Sequence, residues 1–577
     1  MPLRHHDDAI MTIVIRSYLF LVLGAVAIQA QPADIVLRYG KIVTMESSAP
    51  EVEALAARGG KIVALGTNQQ IQSYIGPDTK IVNLRGRLAI PGFIEGHGHF
   101  MALGSSKTVL NLRDAKNWDQ IVAMVAAAAR EAKPGAWILG SAWHQAKWDP
   151  PPSQNVQGFP LHEALSKVSP NNPVWLTHAS GHAGFANAEA MRLAGVDKNT
   201  PNPPGGEILK DSQGNPTGLF NEQAQVLISR ALAEYRAHRP PTELVSEARH
   251  QAGLAARECL SKGITTFQDA GSPLQVVDLL RSMTDEDKLG LRLWVMLRTS
   301  DAILAPNLRK YYTIGADDDH FTVRAIKRMM DGALGSRGAW MLEPYADLPN
   351  SFGLPTEDPG EIRKTAELAI ANGYQLCVHA IGDRANREVL NIFEAVFKEH
   401  PEKKDLRWRI EHAQHLNAAD IPRFAALGVI ASMQAIHCTS DAPFVLQRLG
   451  PKRAEEGAYV WQKLMKSGAV VSNGTDTPVE DVDPIACFYA SVSRKLKDGS
   501  VFFPDQRMSR EEALRSYTVN NAYSAFEETS KGSLAPGKLA DVTVLSKDIL
   551  TIPEDEIPKA QVDYTIVGGK VMYQRSQ

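Results

Sequence analysis

Cysteine is scarce in this chain: among 577 residues there are four, Cys259, Cys377, Cys438 and Cys487. No two of them form a C-x-x-C pair, which excludes a zinc knuckle and a disulfide-dense scaffold. An excess of either charge is also missing. Lys and Arg total 62 against 65 Asp and Glu, a net charge of −3, so the chain offers no basic footprint for nucleic acid. No glycine-rich phosphate loop follows an early strand, which argues against a doubly wound nucleotide-binding fold. Past residue 30 no run is apolar enough to span a bilayer. What is abundant is ordinary core material. Hydrophobic residues make up 44% and charged residues 22%, enough to bury a large core and to exclude global disorder.

The first thirty residues read as an address. Arg16 precedes an apolar run from Tyr18 to Ala30, and Ala25-Val26-Ala27 is a small-residue cleavage site. A run of that length suits the core of a secretion signal and falls short of the ~20 residues that cross a bilayer. The expectation is a cleaved signal peptide over 1–30 and an exported protein, periplasmic or secreted, with no membrane span after signal removal. The competing reading is a buried N-terminal helix.

Beyond the leader the chain has β-rich ends around a mixed middle. Asp34–Val43 and Ala56–Gly66 carry β-branched residues around glycine turns, with Gly59-Gly60 at a hairpin bend. Ala540–Leu545 and Tyr564–Tyr573 repeat that character. Residues 31–88 and 523–577 are therefore expected to form one composite β-sandwich. Between them, eight short apolar runs end in polar residues or glycine: Leu88–His99, Gly263–Ala270, Leu291–Leu297, Val323–Asp331, Gln375–Asp383, Arg407–Gln414, Val429–Gln434 and Val470–Asp476. Helical stretches lie between most of them. Eight strands with helical crossovers predict an α/β fold, a (β/α)8 TIM-like barrel over 89–522. A stretch rich in Pro, Gly, Asn and Trp, about 137–220, reads as an inserted subdomain.

Metal-ligating residue types fall where such a barrel places its chemistry, at the C-terminal ends of strands. His97 and His99, two apart, share one face of an extended strand. His379 closes the fifth run, His412 the sixth and Asp476 the eighth, while Lys327 sits inside the fourth. Imidazoles and a carboxylate together suit zinc and other first-row divalent ions. Glu411, next to His412, is expected on the opposite face of a regular strand and so outside the ligand set.

The segment Pro91-Gly92-Phe93-Ile94-Glu95-Gly96-His97-Gly98-His99 resembles the first-strand signature of the amidohydrolase superfamily. Lys327 with Asp331-Gly332, His379-Ala380-Ile381-Gly382-Asp383, Ile410-Glu411-His412 and Gly474-Thr475-Asp476-Thr477-Pro478-Val479 resemble its YtcJ-like branch, which includes N-substituted formamide deformylases. So does the closing stretch Gly532–Asp541. Two departures are visible, Glu95 where Asp is usual and Thr475 where Ser is usual, and neither removes a ligand.

The resemblance implies a metal-dependent hydrolase of non-peptide C–N bonds (amide, formamide or cyclic amide) working through a metal-activated hydroxide. It implies His97, His99, Lys327, His379, His412 and Asp476 as metal ligands for one or two divalent ions, with zinc favoured. Asp476 is then the base that takes the water's proton and passes it to the leaving nitrogen, with His412 the second catalytic group. Two forms of the site stay open. In one, Lys327 is carboxylated by CO2 and bridges two metals; in the other it is an ordinary cation and the site holds one. His182, in Ser180-Gly181-His182, and His437 are expected to contact substrate. The partner expected is a small amide-type molecule, and the sequence is compatible with a homo-oligomer. Alternatives are a deaminase or aminoacylase using the same site, or a catalytically silent, regulatory member that binds metal or ligand.

Overall fold

A computed structural model describes residues 31–576; the leader expected over 1–30 lies outside the described residues. All eight expected barrel strands form. They are β1 (Phe93–Gly98), β2 (Ile264–Ser272), β3 (Arg292–Leu297), β4 (Phe321–Met329), β5 (Gln375–Ala380), β6 (Arg409–His412), β7 (Ile430–Met433) and β8 (Val471–Asn473). They pair in chain order and in parallel from β1 to β8. Helices cover the outer face and side chains fill the interior, so a strand such as β3 is buried at every position.

The seam between β1 and β8 is joined largely by a side chain instead of a strand ladder. Asn521 donates to Ile94 O at 2.6 Å and Asn473 O at 2.7 Å, and accepts from Asn473 N at 3.1 Å. Glycine permits the approach, since a Cβ on Gly96 would lie 2.4 Å from Asn473 O. Above the seam two backbone bonds continue the closure, Asp476 N–H to His97 O at 2.7 Å and His99 N–H to Thr477 O at 2.8 Å.

The expected first run, Leu88–His99, is two strands in different sheets. Leu88–Pro91 leaves the barrel at Gly92, where a Cβ would meet the Thr265 side chain at 2.2 Å. It pairs instead with Lys41–Val43 and, antiparallel, with Val542–Leu545. That six-stranded sheet thus draws strands from both ends of the chain. A second sheet of four strands uses the N-terminal segment alone, including the hairpin of Ala54–Arg58 with Lys61–Gly66. Gly59 and Gly60 have φ of 57° and 76° at its bend, as a two-residue hairpin turn requires. Leu37, Ile42, Leu55, Val82, Val542 and Ile566 share one buried cluster between the sheets. The N-terminal end of β3 is tied to the six-stranded sheet by a buried fork: Arg292 Nε and Nη2 donate to the two Asp541 oxygens at 2.8 and 3.0 Å.

The stretch 137–220 belongs to a longer segment built around one sheet. Its six-stranded sheet starts at Leu110–Asn111 and runs to Pro216–Glu222, with helix Trp118–Glu131 packed on it. Trp143 and Trp148 belong to its core. All four cysteines are buried and free. Among the described residues no helix is long and apolar enough to cross a membrane.

Candidate metal centre

The site is assembled at the C-terminal mouth of the barrel around Asp476. Its Oδ1 stands 3.5 Å from His97 Nε2 and 3.3 Å from His99 Nε2; its Oδ2 stands 3.5 Å from His437 Nε2 and 4.0 Å from His412 Nδ1. Two donor groups result, His97 with His99 and Asp476, and His412 with His437 and Asp476, each compact enough to hold one ion. His379 meets His412 edge to face with ring centroids 4.4 Å apart, and its Nε2 faces Asp331 Oδ1 at 3.5 Å. Lys327 is buried in the adjoining wall of β4, where desolvation pulls its ammonium down to about 8.

Local backbone explains how these groups meet. His97 points inward on β1, and His99 follows at the start of helix Phe100–Ser106. On β6 the alternation turns Arg409 and Glu411 into the barrel, so His412 should face away. It reaches the mouth because the strand ends there in left-handed geometry, with φ of 78° at His412 and 43° at Ala413. Asp476, with φ of 56°, makes a similar turn after β8.

Glu411 lies outside the donor groups, as the sequence reading has it, and supports one of their members. It is fully buried inside the barrel and its carboxylate pairs with His97 Nδ1. Against the desolvation of burial, Arg409 and His97 hold Glu411 well below the usual carboxylate range. Arg409 itself donates to Gln268 Oε1 at 2.6 Å, Gly96 O at 2.7 Å and Ser432 Oγ at 2.8 Å. The chain Arg409–Glu411–His97 fixes the imidazole by its Nδ1 side and leaves Nε2 aimed at Asp476, the arrangement that orients metal-ligating histidines. Gln434 holds the His412 ring in place, accepting from its Nδ1 at 2.7 Å. The signal for Glu411 was present: Arg409 and Glu411 lie two apart, as His97 and His99 do.

The remaining expected residues fall nearby. His437 stands against Asp476, in the donor cluster. His182 roofs the cavity with its Nδ1 held 2.8 Å from Glu222 Oε2 and its ring 5.1 Å from that of His379. Asp331 accepts from the backbone N–H groups of Trp340, Ile381 and Gly382 at 2.8–2.9 Å, which pins the loop beyond β4 to the loop beyond β5. The two departures noted in the sequence touch each other: Thr475 N–H donates to Glu95 Oε1 at 2.6 Å. Burial pushes the Glu95 carboxyl up to about 8.

The donor set fits a divalent cation. His97 Nε2, His379 Nε2, His437 Nε2 and Asp476 Oδ1 are all buried without a hydrogen-bond partner among the described residues. Four such atoms at one barrel mouth would be costly unless something binds them, although His379, expected as a ligand, stands outside both compact donor groups. Two spaces meet there. A large cavity of about 590 Å³ opens past His99, Lys327 and Val226, and a tight one of about 50 Å³ extends toward His144, Asp441 and Phe444.

Fold and site together define a metal-dependent hydrolase. The model of the Amidohydrolase family matches residues 80–573, and the chain belongs to that family. It is 33% identical over 557 residues to Protein LONG AFTER FAR-RED 3 of Arabidopsis thaliana, covering 94% of this chain and 92% of the relative. It is 26% identical over 553 residues to N-substituted formamide deformylase of Arthrobacter pascens, covering 95% and 99%. The crystal structure of an uncharacterized metal-dependent hydrolase from Pyrococcus horikoshii OT3 superposes with a TM-score of 0.70 at 25% identity, over 90% of this chain and 99% of the other.

Proposed function

We propose that the protein hydrolyses a non-peptide C–N bond in a small molecule, an amide, formamide or cyclic amide. The observation that carries this reading is the convergence of His97, His99, His412 and His437 on Asp476. The likeness to a formamide deformylase supports the bond type. A divalent metal held there, zinc by the preference of an imidazole–carboxylate set, supplies Lewis acidity toward water and a carbonyl.

The chain's own residues do the rest. Asp476, held well below the usual carboxylate range against burial by His437 and His99, is ionised and can take the attacking water's proton. It then returns that proton to the departing nitrogen. His182, held by Glu222, faces the cavity where a substrate carbonyl would sit. Lys327, carboxylated by CO2, would turn from a buried cation into an anionic ligand able to serve a second metal; among the described residues Glu411 and Asp476 act on its ammonium only from beyond ion-pair distance, which supports this form. In the same reading the two terminal sheets are one composite sandwich, and the protein is exported.

The test is a hydrolysis screen of N-formyl, N-acyl and cyclic amides with zinc-reconstituted protein, following amine and ammonia release. Turnover that disappears on chelation and returns with zinc supports the reading. Metal-loaded protein that cleaves none of the three classes would overturn it.

A further inference from the structure

Most charged side chains buried in this fold are paired. Arg292 is forked onto Asp541, Arg409 onto Glu411, Arg328 pairs with Asp301 and Arg448 with Asp347. Arg298 differs. It follows β3 directly, and since Leu297 pairs with Ile326 it stands across from Lys327 at the lip of the barrel. Its guanidinium lines the large cavity together with His99, Lys327 and Asp476. Among the described residues its one polar side-chain contact is the Met329 sulfur, a weak acceptor. Asp269 and Glu357 act on it only at a distance. Asp269 is already engaged by Phe100 N–H at 2.9 Å and Ser272 Oγ at 2.7 Å.

The stem of Arg298 is held in place. Gly271 has φ of 122°, and a Cβ there would lie 2.9 Å from Arg298 Cβ, 3.0 Å from its Cδ and 3.2 Å from Lys327 Cβ. The strand end of β2 thus packs on the arginine stem as only glycine allows, beside the cavity that Arg298 lines. A planar fork of five donors whose one side-chain acceptor is a thioether sulfur is matched to a carboxylate. Around it the wall is apolar, with Met101, Val226 and Val276.

We propose that Arg298 binds a carboxylate of the substrate, so that the preferred substrates are amides carrying a carboxylate beside an apolar group. This rests on the C–N hydrolase reading of the same site and adds the substrate class to it. The neighbouring Lys327, if carboxylated, is a second anion the fork could serve, and the experiment separates the two.

Binding is measured by titration calorimetry on metal-loaded protein with two matched pairs. N-acetylleucine is compared with N-acetylleucinamide, and N-butylsuccinamic acid with N-butylbutanamide, placing the charge on either side of the amide bond. The wild-type protein should bind at least one acid ten-fold or more tighter than its neutral partner. Arg298→Gln should remove that preference, and Arg298→Lys should retain part of it; the Lys variant also covers the case in which Arg298→Gln fails to fold. Equal binding of acid and neutral partner by the wild type overturns the proposal. So does a preference that survives Arg298→Gln, because the metal would then be holding the carboxylate. Equal weakening of both members together with loss of metal from Arg298→Gln assigns the fork to Lys327 and also overturns it. Cleavage is scored separately. A charge preference without cleavage sinks the C–N reading and keeps Arg298, whereas cleavage without a charge preference does the reverse.

Discussion

Glu411 shows how far one side chain can act without touching the reacting atoms. Its carboxylate is the only group oriented on His97 Nδ1 among the described contacts. Glu411→Gln should weaken metal binding by ~10–100-fold, read by competition with a coloured chelator. Unchanged affinity would mean that packing alone orients His97. Asp476→Asn is expected to leave the fold and at least one metal in place and to remove turnover. Activity kept within about tenfold, only ~1.4 kcal/mol of barrier, would show that another group is the base. For Lys327→Ala the expected outcome is a fall in metal content from about two per chain to one or fewer, measured on identically purified proteins. One metal in both, with the variant active, would remove the bridging role. At this scale the ligand types were readable because H-x-H and the histidines closing strands need only alternation and strand ends. The nearness of His437 to Asp476 and the inward turn of His412 were not. They depend on left-handed backbone at His412 and Asp476, which no residue type there announces.

Between elements, the fork of Arg292 on Asp541 is a join between barrel and terminal sheet, and both side chains are buried. Removing one partner of such a pair leaves an uncompensated charge and costs about 3–5 kcal/mol. Asp541→Asn should therefore lower the denaturant midpoint strongly, while Arg292→Met with Asp541→Leu should recover much of the loss. Against burial, Arg292 holds the Asp541 carboxyl below its ordinary value. Its contribution is thus complete above pH ~4 and is lost as pH falls through the lower folded value. A midpoint in Asp541→Asn that falls with acid as steeply as in the wild type would show that other carboxylates dominate. The eight strands were legible because parallel strands buried on both faces leave continuous apolar runs. The break inside Leu88–His99 was not, since both halves are apolar and only the close contact of Gly92 with Thr265 separates them. The start, at Leu110, of the sheet that includes the 137–220 stretch was hidden for another reason: its opening strand has two residues.

For the molecule as a whole, the sharing of strands between the two ends sets a solubility test. A chain truncated after Glu527 loses Val542–Leu545 and the two strands beyond it, and so uncovers Ile42, Ala89 and Ile90. It should aggregate, whereas a monodisperse product would show that the N-terminal sheets stand alone.

The same pairing orders events in time. Leu88–Pro91 meets Val542–Leu545 across about 450 residues of intervening chain. At the ~5–20 residues per second of synthesis, the N-terminal strand waits for its neighbour for roughly 20–90 s. During that interval its hydrogen-bonding edge is unsatisfied and apolar, the form most prone to pairing with the wrong chain. The last-made residues are therefore the ones that retire the first-made hazard. Stalled nascent chains ending before Val542 should stay protease-sensitive at Leu88–Pro91, and those extended past Val567 should become resistant there.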